Sequence, residues 1–321
     1  MSTNVRRLAI ACGDPNGIGP EIALKALAAR QEASGLALTL VGPENVWTTT
    51  AARLGLTHVL TRARVQATGD LPASAMRPGV VCAEAGAAAV AAATVALQAC
   101  RAGEVDAVVA GPHHEMAIHR AGIAFNGYPS LVARVCNVPE DAVFLMLVGA
   151  GLRIVHATLH ESVRHALGRL DSALVQAAAR AGVRACAAMG VREPRVGIFG
   201  INPHASESGL FGPDDARVTL PAAAALREEG MAVDPPAGAD VLLSQRQQDL
   251  YVAMFHDQGH IPVKLLAPQA ASALSIGADA LLSSVGHGCA MDIAGQGVAR
   301  ADGILRTIDL LGGLCNLPST P

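Results

Sequence analysis

Leu8-Ala9-Ile10-Ala11-Cys12 is an apolar run that Gly13-Asp14-Pro15-Asn16-Gly17 breaks at once. A short apolar run bounded by turn residues reads as a strand buried on both faces, the kind found in parallel sheets. The same arrangement recurs outward along the chain. The run at 106–110 leads to Gly111-Pro112-His113-His114-Glu115, and that at 153–158 to Leu159-His160-Glu161-Ser162. The run at 195–199 leads to Asn202-Pro203-His204-Ala205-Ser206-Glu207, that at 250–255 to His256-Asp257-Gln258-Gly259-His260, and that at 280–285 to Gly286-His287-Gly288. Two more strand runs lie at 36–41 and 144–148. Ala-rich helical stretches at 21–29, 87–101, 162–167, 172–189 and 220–228 fall among them. This alternation predicts an α/β fold of mostly parallel strands with helices on both faces. Ligands in open α/β sheets bind outside the carboxyl ends of the strands. Six strands that end in titratable groups and glycines therefore point to an active site.

The composition agrees. A chain of 321 residues suits two domains or lobes, and half of it is hydrophobic with only one Trp, two Tyr and five Phe. Its core must be built from Ala, Val, Leu and Ile. The net charge of −3 and the lack of a basic stripe with interleaved aromatics give no reason to expect nucleic acid. The seven cysteines, at 12, 82, 100, 136, 186, 289 and 315, form no Cys-x-x-Cys pair and read as reduced thiols of a cytoplasmic protein. Residues 1–10 are too short in apolar character for a signal peptide. The other apolar runs are interrupted too soon to cross a bilayer, so no membrane partner is expected. Only two lysines occur, Lys25 and Lys264.

Three segments, Gly13-Asp14-Pro15-Asn16-Gly17-Ile18-Gly19-Pro20-Glu21-Ile22, Asn202-Pro203-His204-Ala205-Ser206-Glu207 and His256-Asp257-Gln258-Gly259, resemble the 4-hydroxythreonine-4-phosphate dehydrogenase family over nearly the whole chain. The stretches 112–131, 159–164 and 283–288 look more like a catabolic branch of that family, the 1,2-dihydroxy-3,5-cyclohexadiene-1,4-dicarboxylate (terephthalate dihydrodiol) dehydrogenases. The resemblance implies a two-lobed fold similar to isocitrate and isopropylmalate dehydrogenases. In that fold 1–125 with 275–321 form the NAD-binding lobe, and 126–274 form the metal, substrate and dimerisation lobe. A homodimer with a shared site in the cleft is the expected form.

The resemblance also assigns residues. His160, His204 and His256 match the family's metal ligands; spacings of 44 and 52 residues carry no metal signature by themselves. Three imidazoles favour one divalent ion such as Zn, Mn or Co over a hard oxygen-seeking ion. Asp240 matches a carboxylate near the metal, and Lys264 matches a lysine that touches substrate. His114, with its neighbours His113 and His119, is a candidate for moving a proton. Tyr128 and Arg120 are further candidates for holding the substrate. Gly13 and Asp14 are expected at the cofactor. So are His287, Gly288, Asp292 and Ile293, whose segment resembles the adenosine loop of isopropylmalate dehydrogenases. A carboxylate at Asp292 that accepts the ribose hydroxyls would reject NADP, because like charges at ~4 Å repel by ~4 kcal/mol at an effective dielectric near 20. NAD is the expected cofactor.

Departures from the phosphate-using members are as informative. Gly127-Tyr128-Pro129-Ser130 stands where they carry Gly-His-Thr-Glu, and Ala273 and Leu282 align with their Asn and Arg. Glu115 replaces a lysine. Losing an Arg fork removes the natural grip on a phosphate dianion. The implied reaction is oxidative decarboxylation of the dihydrodiol dicarboxylate to protocatechuate, CO2 and NADH. The alternatives are 4-hydroxythreonine-4-phosphate dehydrogenase of pyridoxal phosphate biosynthesis and a non-catalytic nucleotide- or metal-binding relative.

Overall fold

The computed structural model describes residues 5–30, 35–61, 63–268 and 271–313. They fall into two compact units: Met1–Glu140 with Ala278–Cys315, and a second whose described part is Asp141–Gly277.

The first unit holds β1 (Arg6–Ala11), β2 (Leu36–Gly42), β3 (Arg64–Ala67) and β4 (Ala107–Ala110). The second holds β5 (Phe144–Gly149), β6 (Leu152–His156), β7 (Val196–Ile198), β8 (Leu250–Ala253) and β9 (Ser272–Ile276), and the first is completed by β10 (Leu282–Val285). In the first unit the order is β3-β2-β1-β4-β10 and every pairing is parallel. β1, β4 and β10 lie side by side, so the loops at their carboxyl ends are neighbours. In the second unit the order is β9-β5-β6-β8-β7. There β6-β8-β7 is parallel, while β5 runs antiparallel to both β6 and β9. The turn that reverses β5 into β6 uses Ala150 at φ 49° and Gly151 at φ 80°, the left-handed pair that two-residue hairpins need.

The mostly parallel α/β architecture is as expected, and all eight sequence-read strands form. Two further strands, β3 and β9, were not expected. The boundary also differs: helix Gly127–Cys136 packs on helix Ala83–Arg101 and β10, so residues 126–140 group with the first unit. A helix at His256–Leu266 was not anticipated either, because Gly259 and Pro262 both argue against one. Helix Ala83–Arg101 corrects one reading of the sequence. It is long and apolar enough to cross a membrane, yet it packs against β1, β2 and β4 and buries half of its apolar stretch.

Candidate active site

The first unit brings three neighbouring strand ends together. Asp14 N donates to Pro112 O at 2.8 Å, Ile18 N donates to Cys289 O at 3.0 Å, and the Cys289 thiol meets Pro112 O at 3.3 Å. Contact is so close that a Cβ at Gly13 would lie 2.3 Å from Pro112 O. Gly13 also has φ +69°, so the fold itself requires this glycine, independently of any cofactor. Gly288 is the opposite case: it is exposed and nothing lies within 4 Å of where its Cβ would be. That open backbone is the kind a dinucleotide can approach.

Asn16 ties this corner to the 291–295 loop. Its side chain donates to Ala75 O and Val80 O and accepts from Arg77 N, which fixes the 75–80 segment. That segment in turn touches the loop, since a Cβ on Gly79 would meet Met291 O at 2.8 Å. Asp292 is exposed in this loop, and Ile293 N donates to Ala290 O at 3.1 Å. His287 Nδ1 lies 3.1 Å from Gly288 O. Glu21 is buried and accepts from Lys25 Nζ, Gly297 N and Ala299 N, so it anchors the chain just beyond the loop.

Asp14 and His114 stand out electrostatically. Asp14 is buried; its Oδ1 accepts from Asn16 N, but its Oδ2 has no partner, and neither has the buried Nδ1 of His114. Burial raises the Asp14 pKa to about 6, against the lowering pull of backbone hydrogen bonds and of His114. Two other expected substrate residues are already engaged. Tyr128 is buried, donates its hydroxyl to Gly111 O at 2.7 Å and meets His113 edge-on at 4.7 Å. Arg120 donates to Val81 O at 2.7 Å.

In the second unit, parallel pairing brings distant histidines together. His156 ends β6 opposite Ala253 of β8, so the loops that follow, carrying His160 and His256, emerge side by side. The His160 and His256 rings are 5.6 Å apart between centroids. His256 Nδ1 is 2.7 Å from Asp257 Oδ1, which leaves Nε2 as the free donor atom for a cation. His204, beyond the outer strand β7, sits 6.2 Å from Phe211. Among the described residues no three His, Cys, Asp or Glu side chains stand close enough to hold a metal ion. The donor chemistry fits a divalent transition cation at His160 and His256. His204 does not complete that group.

Residues 204–208 all have positive φ, from 42° to 68°, although none is glycine. Such a left-handed turn costs about 1–2 kcal/mol per residue. It is held by the buried Asp215 carboxylate, which accepts from Ile201 N, Asn202 N, Ser206 Oγ and Thr219 Oγ1. Asp240 is exposed in the first turn of helix Ala239–Gln245, its carboxylate folded back over Gly238.

Lys264 is exposed in the last turn of helix His256–Leu266. His256, His260 and Lys264 recur every fourth residue and so share one face of that helix. His260 and His156 were not singled out in the sequence. His260 stacks on His256 at 3.7 Å and 12°, and lies 4.7 Å from His156. Burial is the main cause that pushes the pKa of His156 down to about 3 and that of His260 to about 4; the neighbouring imidazoles push the same way. Both rings are neutral near pH 7. The signal for them was the repeated spacing of four, His156 to His160 and His256 to His260.

The chain is 57% identical over 307 residues to a 1,2-dihydroxy-3,5-cyclohexadiene-1,4-dicarboxylate dehydrogenase of Comamonas sp, covering 96% of this chain and 97% of that one. It is 35% identical over 342 residues to a 4-hydroxythreonine-4-phosphate dehydrogenase of Methylorubrum populi, covering 99% and 97%. Among solved structures, a terephthalate 1,2-cis-dihydrodiol dehydrogenase from Burkholderia xenovorans LB400 matches with a TM-score of 0.77 at 48% identity, covering 96% of this chain and 98% of that one. A beta-decarboxylating dehydrogenase from Thermococcus kodakarensis, 16% identical with a TM-score of 0.51 and covering 96% and 84%, shares the fold alone. Residues 25–311 match the family model of the pyridoxal phosphate biosynthetic protein PdxA, an NAD-dependent family that also uses a divalent metal. The chain belongs to the PdxA family.

Proposed function

We propose that this protein is an NAD-dependent, metal-assisted dehydrogenase that converts 1,2-dihydroxy-3,5-cyclohexadiene-1,4-dicarboxylate to protocatechuate, CO2 and NADH. The observation that carries the choice of substrate is the 57% identity to the Comamonas enzyme, against 35% to the phosphate-using relative, each over nearly the whole chain. The residues support it. Leu282 is buried and apolar, and Glu115 and Tyr128 bring no cation, so these positions offer no grip on a phosphate dianion. The alternative, 4-hydroxythreonine-4-phosphate dehydrogenase, rests on the family description and on relatives of lower identity.

Bound NAD supplies the hydride acceptor. A divalent cation supplies polarisation of the hydroxyl to be oxidised, and its nitrogen ligands make Zn, Mn or Co the fitting choices. His160 and His256 would hold that cation, and His204, which does not stand with them in the single chain, is the third ligand that the resemblance implies. Lys264, one turn beyond His260, pairs with a substrate carboxylate. Asp292 accepts the ribose hydroxyls and turns away a 2′-phosphate, while Gly288 gives the cofactor its approach. Asp14 Oδ2 and His114 Nδ1, two of the eight buried side-chain atoms without partners among the described residues, take up and return the alcohol proton. Loss of two hydrogens leaves a ketone β to the carboxylate, and loss of CO2 then makes the ring aromatic.

The active form is a homodimer. Val163, Leu167, Leu210, Phe211, Ile261 and Leu265 of the second unit are large apolar side chains left exposed in the single chain. The six described cysteines are free, which suits a reducing cytoplasm. The test is to follow NADH absorbance with NAD, Mn2+ or Zn2+, and either the dihydrodiol or 4-phosphohydroxythreonine. Reduction with the dihydrodiol supports the proposal; turnover of the phosphate substrate alone overturns it.

A further inference from the structure

We infer that His156 and His260 form a tautomer-locked pair that positions the ring of His256. Two carbonyl groups, which only accept hydrogen bonds, set the tautomers. His156 Nδ1 lies 3.1 Å from Leu145 O, so it carries the hydrogen, and its Nε2 is an acceptor. His260 Nδ1 lies 3.1 Å from that Nε2 and 3.2 Å from the carbonyl oxygen of His256. Both neighbours demand a donor there, so His260 is also protonated at Nδ1. The backbone of β5 thereby fixes the tautomer of two rings in series.

The chain of bonds ends on a flat contact. The His260 ring covers the ring of His256 at 3.7 Å with only 12° between planes. On its edge, His256 is tied to Asp257 at 2.7 Å. Its ring is thus set in plane by a carboxylate and out of plane by a neighbour that cannot turn. His156 is 1% exposed, and no ligand needs to reach it for this role.

Gly259 is the residue that makes room. A Cβ there would lie 2.3 Å from His156 Nε2 and 2.9 Å from Ile154 Cγ2, so only glycine lets this helix approach the end of β6 closely enough for the pair to form. The pair is a property of this packing. Its consequence for a cation rests on the ligand role proposed for His256.

The experiment uses the full chain and two readouts. Histidine-selective 15N labelling with long-range 1H–15N spectra, recorded without ligand, reads each tautomer. The wild type should show His156 and His260 protonated at Nδ1. Co2+ titration followed by its visible absorption reads cation affinity. His156→Leu, checked by circular dichroism for an intact fold, should shift the His256 ring signals and weaken Co2+ binding on the order of tenfold. His156→Gln should restore both, since its carboxamide can accept from His260 and donate to Leu145 O.

Either of two results overturns the inference: His260 protonated at Nε2 in the wild type, or unchanged His256 signals in His156→Leu. If the wild type takes up no Co2+, the ligand role of His256 fails. The nitrogen spectra alone then decide the pair, by whether the His256 signals move.

Discussion

The hydroxyl of Tyr128 donates to the carbonyl of Gly111 across 2.7 Å, both groups being buried. This bond fixes the loop that carries His113 and His114, and it uses the one hydrogen of the Tyr128 hydroxyl. Tyr128→Phe strands the carbonyl and should cost about 1–3 kcal/mol in thermal or urea unfolding. KM for the dihydrodiol should change little. A raised KM with unchanged stability would instead show that Tyr128 touches substrate.

Asp14 makes stability depend on pH in an unusual direction. Its pKa rises from 3.8 to about 6 on folding, so between those values the folded protein holds a proton that the unfolded chain releases. Stability from this group therefore falls as pH rises from about 4 to about 6, by roughly 3 kcal/mol in all, and stays lower above that window. Asp14→Asn keeps the acceptor for Asn16 N and cannot ionise. Unfolding at pH 4 and pH 7 should show the wild type losing stability relative to this variant. Parallel pH profiles would show that Asp14 has an ordinary pKa.

The left-handed turn at 204–208 is the most strained segment described. Glycine at position 205, where φ is 51°, should relieve about 1–2 kcal/mol of backbone strain at a cost of about 0.5–1 kcal/mol in unfolded-state entropy. Ala205→Gly should thus raise the melting temperature modestly. Asp215→Ala removes the acceptor of four hydrogen bonds and should cost at least about 3 kcal/mol. A melting temperature unmoved by Asp215→Ala would mean that the turn is held by other contacts.

The fold was legible because apolar runs ending in Gly, Asp or His mark buried parallel strands. β3 escaped because Arg64-Val65-Gln66-Ala67 is a short, polar edge, and β9 because Ser272-Ala273-Leu274-Ser275-Ile276 is broken by serines. The helix that carries His256, His260 and Lys264 escaped because Gly259 and Pro262 read as breakers. Gly259 is there for tertiary reasons, to admit His156, which local propensity does not record. Of the three histidines expected as metal ligands, His160 and His256 come together because they follow adjacent parallel strands, β6 and β8. The meeting of His156 with His260 depends on the packing of that helix against β6. The engagement of Arg120 with the Val81 carbonyl likewise depends on loop geometry with no local sequence signal.

Asp292 sets the cofactor preference in the proposed scheme. Asp292→Ser removes the negative charge that would face a 2′-phosphate. The ratio of kcat/KM for NADP to that for NAD should rise on the order of a hundredfold, short of the roughly thousandfold that the full ~4 kcal/mol electrostatic difference would give. An unchanged ratio would place the ribose elsewhere.

The most direct measurement is the product balance with the dihydrodiol. One NADH, one CO2 and one protocatechuate should appear per substrate consumed, quantified by absorbance, by trapped carbonate and by chromatography. NADH without CO2, or turnover confined to 4-phosphohydroxythreonine, would contradict it.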